Sequence, residues 1–149
     1  LPCGPIEFEA SQRRDALYAE AEAVYRRFWA EMARIDVDPA PEMTPELEAS
    51  TAGPYREILV QLLVVMRGNQ RLSGESSVVW VKRLVGLESS GSVVALSVCT
   101  DERSALFADP AGGEPQPGKA VQRRVYFARD GGVGPLRIVD SEFLEVDAC

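Results

Sequence analysis

The fold class this sequence predicts is α+β, with helices in the first half of the chain and an antiparallel sheet in the second. Three observations predict it. Between residues 11 and 67 apolar side chains recur every three or four positions, the period of an amphipathic helix. After Gly74 the period changes to two and β-branched residues accumulate, as in half-buried strands. The two patterns do not alternate, so the chain builds no βαβ crossover and no doubly wound nucleotide fold.

Residues 1–10, with Pro2, Gly4 and Pro5, read as an extended lead-in to a single domain over 11–149. Ser11 then serves as an N-cap, and Leu17, Ala21, Val24, Phe28, Met32 and Ile35 form one apolar stripe. This predicts a helix of about 24 residues, ending before the proline-marked connector Asp36-Val37-Asp38-Pro39-Ala40-Pro41. Thr44-Pro45-Glu46 is a capped start with Pro at the first helical position, and Gly53-Pro54 interrupts the short helix it opens. A third helix runs from Pro54 to about Arg67, with Ile58, Leu59, Leu62, Leu63 and Met66 on one face and Gly68-Asn69 as the stop.

The strands follow as a meander. Val78–Leu87 and Ser92–Thr100 pair across a turn at Glu88-Ser89-Ser90-Gly91. Asp101 to Lys119 is a long loop rich in Gly and Pro, with room for a short strand at Ala105–Ala108. Val121–Arg129 and Leu136–Val146 are the last two strands, joined by a glycine-rich turn over Asp130–Pro135. That turn opens no helix, so Gly131-Gly132-Val133-Gly134 is no dinucleotide loop.

Composition narrows the functional classes. The 149 residues are 46% hydrophobic and 26% charged, which suits one domain with a packed core rather than disorder. A formal charge of −7 argues against nonspecific nucleic-acid binding, which rests on neutralising phosphates. Histidine is absent, which removes Ser-His and Cys-His nucleophile pairs and every His-containing metal site. No apolar run reaches the roughly 20 residues of a membrane span. Arg13-Arg14 and Arg26-Arg27 alternate with Glu20, Glu22 and Glu31, the pattern of a solvated helix face.

Cys3, Cys99 and Cys149 form no CxxC pair and offer no zinc site. Two readings of the last two stay open. A Cys99–Cys149 bridge would tie the C-terminus to the sheet, closing a loop of about 50 residues for roughly 3–4 kcal/mol. Reduced thiols in a cytoplasmic protein are the plain alternative. Leu1-Pro2-Cys3-Gly4 resembles the end of a bacterial lipoprotein signal, which makes Cys3 a lipidation candidate and a lipid anchor the one expected membrane contact, with a plain, disordered N-terminal Cys as the alternative reading. No charged n-region or apolar h-region precedes it, so any export signal is expected to lie outside this chain.

Val98-Cys99-Thr100-Asp101, Asp109 and Gly112 in the loop that follows, the basic strand Arg123-Arg124-Val125-Tyr126, the Arg71-Leu72…Gly74 segment and the final Cys149 carry a resemblance. With the helix order, they resemble the NTF2-like superfamily (also called SnoaL-like or cystatin-like), and within it small exported proteins of actinobacteria. The resemblance implies helices packed on a strongly curved antiparallel sheet that forms a cone. It also implies a disulfide between the Cys before Asp and the last Cys, a secreted or cell-envelope location, and a homodimer through the outer sheet face. One departure is visible. Where such proteins carry Gly-x-Trp-x-Val in the last hairpin, this chain has Gly134-Pro135-Leu136-Arg137-Ile138. The smaller Leu136 implies a larger cavity, or one filled by Trp29 or Trp80.

A cone can hold a ligand between helix and sheet, and Tyr18, Tyr25, Trp29, Tyr55, Trp80 and Tyr126 are the candidates to line it, although large aromatics commonly just fill cores. In the last strand Asp140 and Glu142 interrupt the alternating row Leu136, Ile138, Leu144, Val146. A turn centred near Gly132-Val133 would set Arg123 opposite Glu142, as a cross-strand ion pair, and Asp140 opposite Val125. A structural pair is one reading. The other resembles ketosteroid isomerase: Asp140 or Glu142 as a desolvated base and Tyr25 or Tyr18 as oxyanion donor. Asp101 and Asp109 lack the spacing of a calcium loop and are expected to cap turns.

The function expected is therefore a non-enzymatic, exported interaction or binding module, working without cofactor on a protein partner or a small apolar ligand. The alternatives are a cofactor-independent isomerase, cyclase or dehydratase using a carboxylate in the cone, and an apolar ligand carrier. A packed cone favours the first. An open one with a buried acid beside a Tyr favours catalysis, and an open one without them favours carriage.

Overall fold

A computed structural model describes residues 4–86 and 91–149. Cys3 and residues 88–90 of the expected hairpin turn lie outside the described residues. The fold is α+β: three N-terminal helices followed by two antiparallel sheets.

Helix α1 spans Pro5–Val37, so the expected start at Ser11 is corrected, and residues 5–10 of the expected extended lead-in over residues 1–10 are helical. Pro5 sits at the first helical position, and the Glu7 carboxylate accepts the Gly4 N–H at 2.5 Å. The apolar stripe gave no sign of this early start, because the first three turns bury nothing: Ile6 and Phe8 stand in solvent and the first buried side chain is Tyr18. Helix α2 is Pro45–Ser50, capped as expected by Thr44, whose hydroxyl accepts the Leu47 N–H at 3.3 Å. Helix α3 is Gly53–Met66; it buries Leu59, Leu63 and Met66 but leaves Ile58 exposed.

Strands β2 (Ser77–Leu84), β3 (Val94–Asp101), β6 (Ala120–Arg129) and β7 (Leu136–Val146) form a four-stranded meander in that order. A second sheet joins β1 (Arg71–Ser73), β4 (Leu106–Phe107) and β5 (Gln116–Pro117). Its strands are two or three residues long, too short to show a period in the sequence. Gly74 turns the chain from β1 into β2 with φ +78°, and a Cβ there would meet the Ala105 backbone at 2.5 Å. Only glycine fits both constraints.

Register decides what each face carries. Between Leu136 and Ile138 the pairing follows the expected turn, with Phe127 opposite Ile138. One residue later the ladder shifts. Val139 has no partner, and Tyr126 faces Asp140, Arg124 faces Glu142 and Arg123 faces Phe143. A β-bulge therefore turns the rest of β7 over, as one extra residue must when side chains alternate with period two. The expected pairs Arg123–Glu142 and Asp140–Val125 do not form.

The helix-facing side of the sheet presents Val94, Leu96, Val98, Val125, Phe127, Leu136 and Ile138 to the stripe Tyr18, Ala21, Val24, Tyr25, Phe28, Met32 and Ile35 of α1. Leu47, Leu59, Leu63 and Met66 of the two shorter helices complete this core. Each large side chain buried here contributes roughly 1.5–3 kcal/mol. On the other face Cys99 is joined to Cys149, and Trp80, opposite Cys99 across β2–β3, donates its indole N–H to the Cys149 carbonyl at 3.1 Å.

Candidate functional site

A cleft of about 340 Å³ opens on the helix side, between the C-terminal half of α1, the end of α3 and the β4–β6 loop. Helical spacing brings Trp29, Met32 and Asp36 to it along one face of α1. Leu62 and Met66 of α3 stand across from them, and Phe107 and Gly118 come from the loop. The wall of the sheet is Val121 and Arg123, on the face that the two-residue period of β6 assigns them. Gly118 keeps the loop close, since a Cβ there would lie 2.8 Å from the Phe107 ring.

Three ionisable side chains define the polar character. Arg123 is half-buried; one N–H donates to the Thr100 hydroxyl at 2.6 Å, and the guanidinium lies over the Trp29 ring, 5.2 Å from its centroid. No ion pair among the described residues includes Arg123. Glu102 accepts the Ser76 hydroxyl at 2.7 Å. Burial pushes the Asp36 carboxyl up to about 7; the charge of Glu102 adds to this and that of Arg71 opposes it.

Behind Arg123 the α1 aromatics pack in series, Tyr25 stacked on Trp29 at 6.3 Å and Phe28 meeting the edge of Tyr55 at 5.8 Å. Burial raises both phenols, Tyr55 to about 12 and Tyr25 further, against the nearby charge of Arg123. The Trp29 indole N–H is buried without a protein hydrogen-bond partner among the described residues, whereas the buried Tyr25 hydroxyl interacts with the Arg123 guanidinium. An unpaired group of this kind costs about 1–3 kcal/mol unless something satisfies it.

The residues singled out from sequence fall into separate places. Tyr25, Trp29 and Tyr55 gather around Arg123, and Trp29 alone of the aromatic candidates lines the cleft. Tyr18 lies at the other end of the core, donating to the Leu84 carbonyl at 2.9 Å. Trp80 and Tyr126 belong to the opposite face of the sheet, so neither shares a pocket with Tyr25 and Trp80 does not fill the space beside Leu136. Asp140 and Glu142 lie there too, both exposed, with Glu142 4.0 Å from Arg124. The bulge thus separates the proposed carboxylate bases from Tyr25 by the thickness of the sheet. Asp101 and Asp109 cap turns, accepting the N–H groups of Arg103 and Ala111 at 3.0 and 2.9 Å.

Asp36 and Glu102 were not among the expected site residues. Asp36 carried a readable signal, standing four residues after Met32 and seven after Trp29, on the inward stripe. Glu102 sits in an irregular segment where spacing carries no facing information. No family model, curated protein or solved structure shows significant similarity to this chain.

Proposed function

We propose that the chain is an NTF2-like, non-enzymatic binding module whose ligand is a small molecule seated in the cleft between α1, α3 and β6. The observation that carries the reading is the half-buried Arg123, set in an apolar-walled cleft without an ion-pair partner among the described residues. A packed core has no use for such a charge, because desolvating it costs several kcal/mol. Clefts with apolar walls and a few converging polar groups are the usual form of small-molecule sites, and 340 Å³ falls at the small end of their range. The helices-then-meander order and the Cys99–Cys149 bridge support the superfamily reading. The bridge also suits an oxidising, extracytoplasmic location.

Native mass spectrometry of the unreduced protein against a library of small apolar compounds tests this. Adducts are expected with the wild-type chain and not with Leu62→Trp, which fills the cleft from its rim. Equal adduct formation by both proteins would overturn the assignment of the site, and no adducts with either would overturn the binding role.

One observation favours a second reading, cofactor-independent proton transfer. A carboxyl held near neutrality, as Asp36 is, suits general acid–base work. No Tyr among the described residues lines the cleft with Asp36, so no phenol stands there to hold an oxyanion.

A further inference from the structure

Within that reading of the cleft, on which this step rests, we infer that the ligand is a small monocarboxylate whose carboxylate seats on Arg123 and whose apolar body lies along Met32, Leu62, Met66 and Phe107. A cation with spare donors stands at one end of the cleft. The Arg123 guanidinium has five N–H groups, of which one is committed to Thr100. The Trp29 ring forms the wall under this guanidinium, and the Tyr25 hydroxyl is buried behind it, interacting with Arg123. A planar cation with N–H groups to spare matches a carboxylate better than any neutral or basic group.

Neither acid of the cleft is ion-paired with Arg123 among the described residues. Asp36 stands two helical turns from Trp29, about 10 Å by helical rise, at the other end of the cleft. Glu102 is engaged with Ser76, and Lys119 at the rim is paired with Glu145 at 2.8 Å. Volume bounds the size. A cleft of about 340 Å³ lies at the small end of ligand sites and suits a compact molecule.

Three probes with one body and different heads test the inference: 3-phenylpropionate, 3-phenylpropanol and 3-phenylpropylamine. Binding is read by titration on the indole N–H resonance of Trp29, assigned against Trp80→Phe. The carboxylate is expected to bind about ten-fold or more tighter than the alcohol, with the amine weakest. In Arg123→Gln the carboxylate should fall to the level of the alcohol while the alcohol is unchanged. Equal binding of the three heads, a preference for the amine, or a carboxylate indifferent to Arg123→Gln would overturn the head-group assignment and leave the cleft as a binding site. Failure of all three to move Trp29 would overturn both. The comparison of heads on the wild-type protein needs no variant to fold.

Discussion

Asp36 is a carboxyl held near neutrality by burial in the cleft wall, and its proton is therefore tied to folding. Its folded value, about 7, lies above the ordinary value of about 3.9 that it takes in the unfolded chain. Between those values the folded state holds the extra proton, so its contribution falls as pH rises from about 4 to about 7. Allowing for solvent on the open side, the loss is on the order of 1–2 kcal/mol. Urea midpoints at pH 5 and pH 8 should therefore show Asp36→Asn gaining on the wild type at the higher pH. A constant difference at both would mean that this carboxylate is already solvated. Glu31 has the opposite sign. Arg34 at 2.5 Å and Thr44 at 2.8 Å hold its buried carboxylate below the usual range, Arg34 most strongly. Its contribution is present at neutral pH and is lost as pH falls through the lowered value. Glu31→Ala strands the Thr44 cap of α2 and is expected to cost about 1–2 kcal/mol at pH 7, read as a lower urea midpoint.

At the scale of elements, α1 and β7 show how the sheet is fixed to the helix. Arg129 in β6 grips Glu20 of α1 with two N–H groups, at 2.8 and 2.7 Å, and Glu20 also accepts the Leu136 N–H at 3.1 Å. Glu20→Gln should lower the stability by roughly 1–2 kcal/mol, read as a lower urea midpoint, with the effect cancelled in a double-mutant cycle with Arg129→Met. If the two losses simply add, the contact contributes nothing. The bulge at Val139 makes the other point. Residues 136–138 follow the alternation read from sequence, and residues 140–146 take the opposite face. Alternation alone could not have found it, because a bulge is a backbone event with no required side chain at Val139. The same limit hid the first turns of α1, where capping by Glu7 does the work that an apolar stripe does further on. Strand Leu136–Val146, the Thr44 cap and the pairing of Cys99 with Cys149 were legible because each rests on a local or covalent requirement. The cleft was legible only in part. Arg123 stood out within an apolar row, but its neighbour is Trp29 of the helix, a contact that depends on how α1 lies across the sheet.

The whole molecule is closed by the bond between Cys99 in the second strand of the meander and Cys149 at the last residue, 50 positions on. The chain-entropy model gives this loop roughly 4 kcal/mol, so reduction should lower the thermal midpoint by many degrees without changing the sheet. The tail it holds is also fastened by Trp80 to Cys149 and by Arg103 to the Asp147 carbonyl at 2.6 Å. These ties alter how the molecule would respond to being pulled. β7 lies at the edge of its sheet and, in a reduced chain held by its two ends, would peel away one hydrogen-bonded pair at a time. With the bridge closed, tension entering at residue 149 passes directly to residue 99 and reaches β6 and β7 through no backbone at all. In single-molecule extension the oxidised protein should lengthen by about 170 Å less than the reduced one, the span of some 50 extended residues, and the load should fall on the β2–β3 pair and α1.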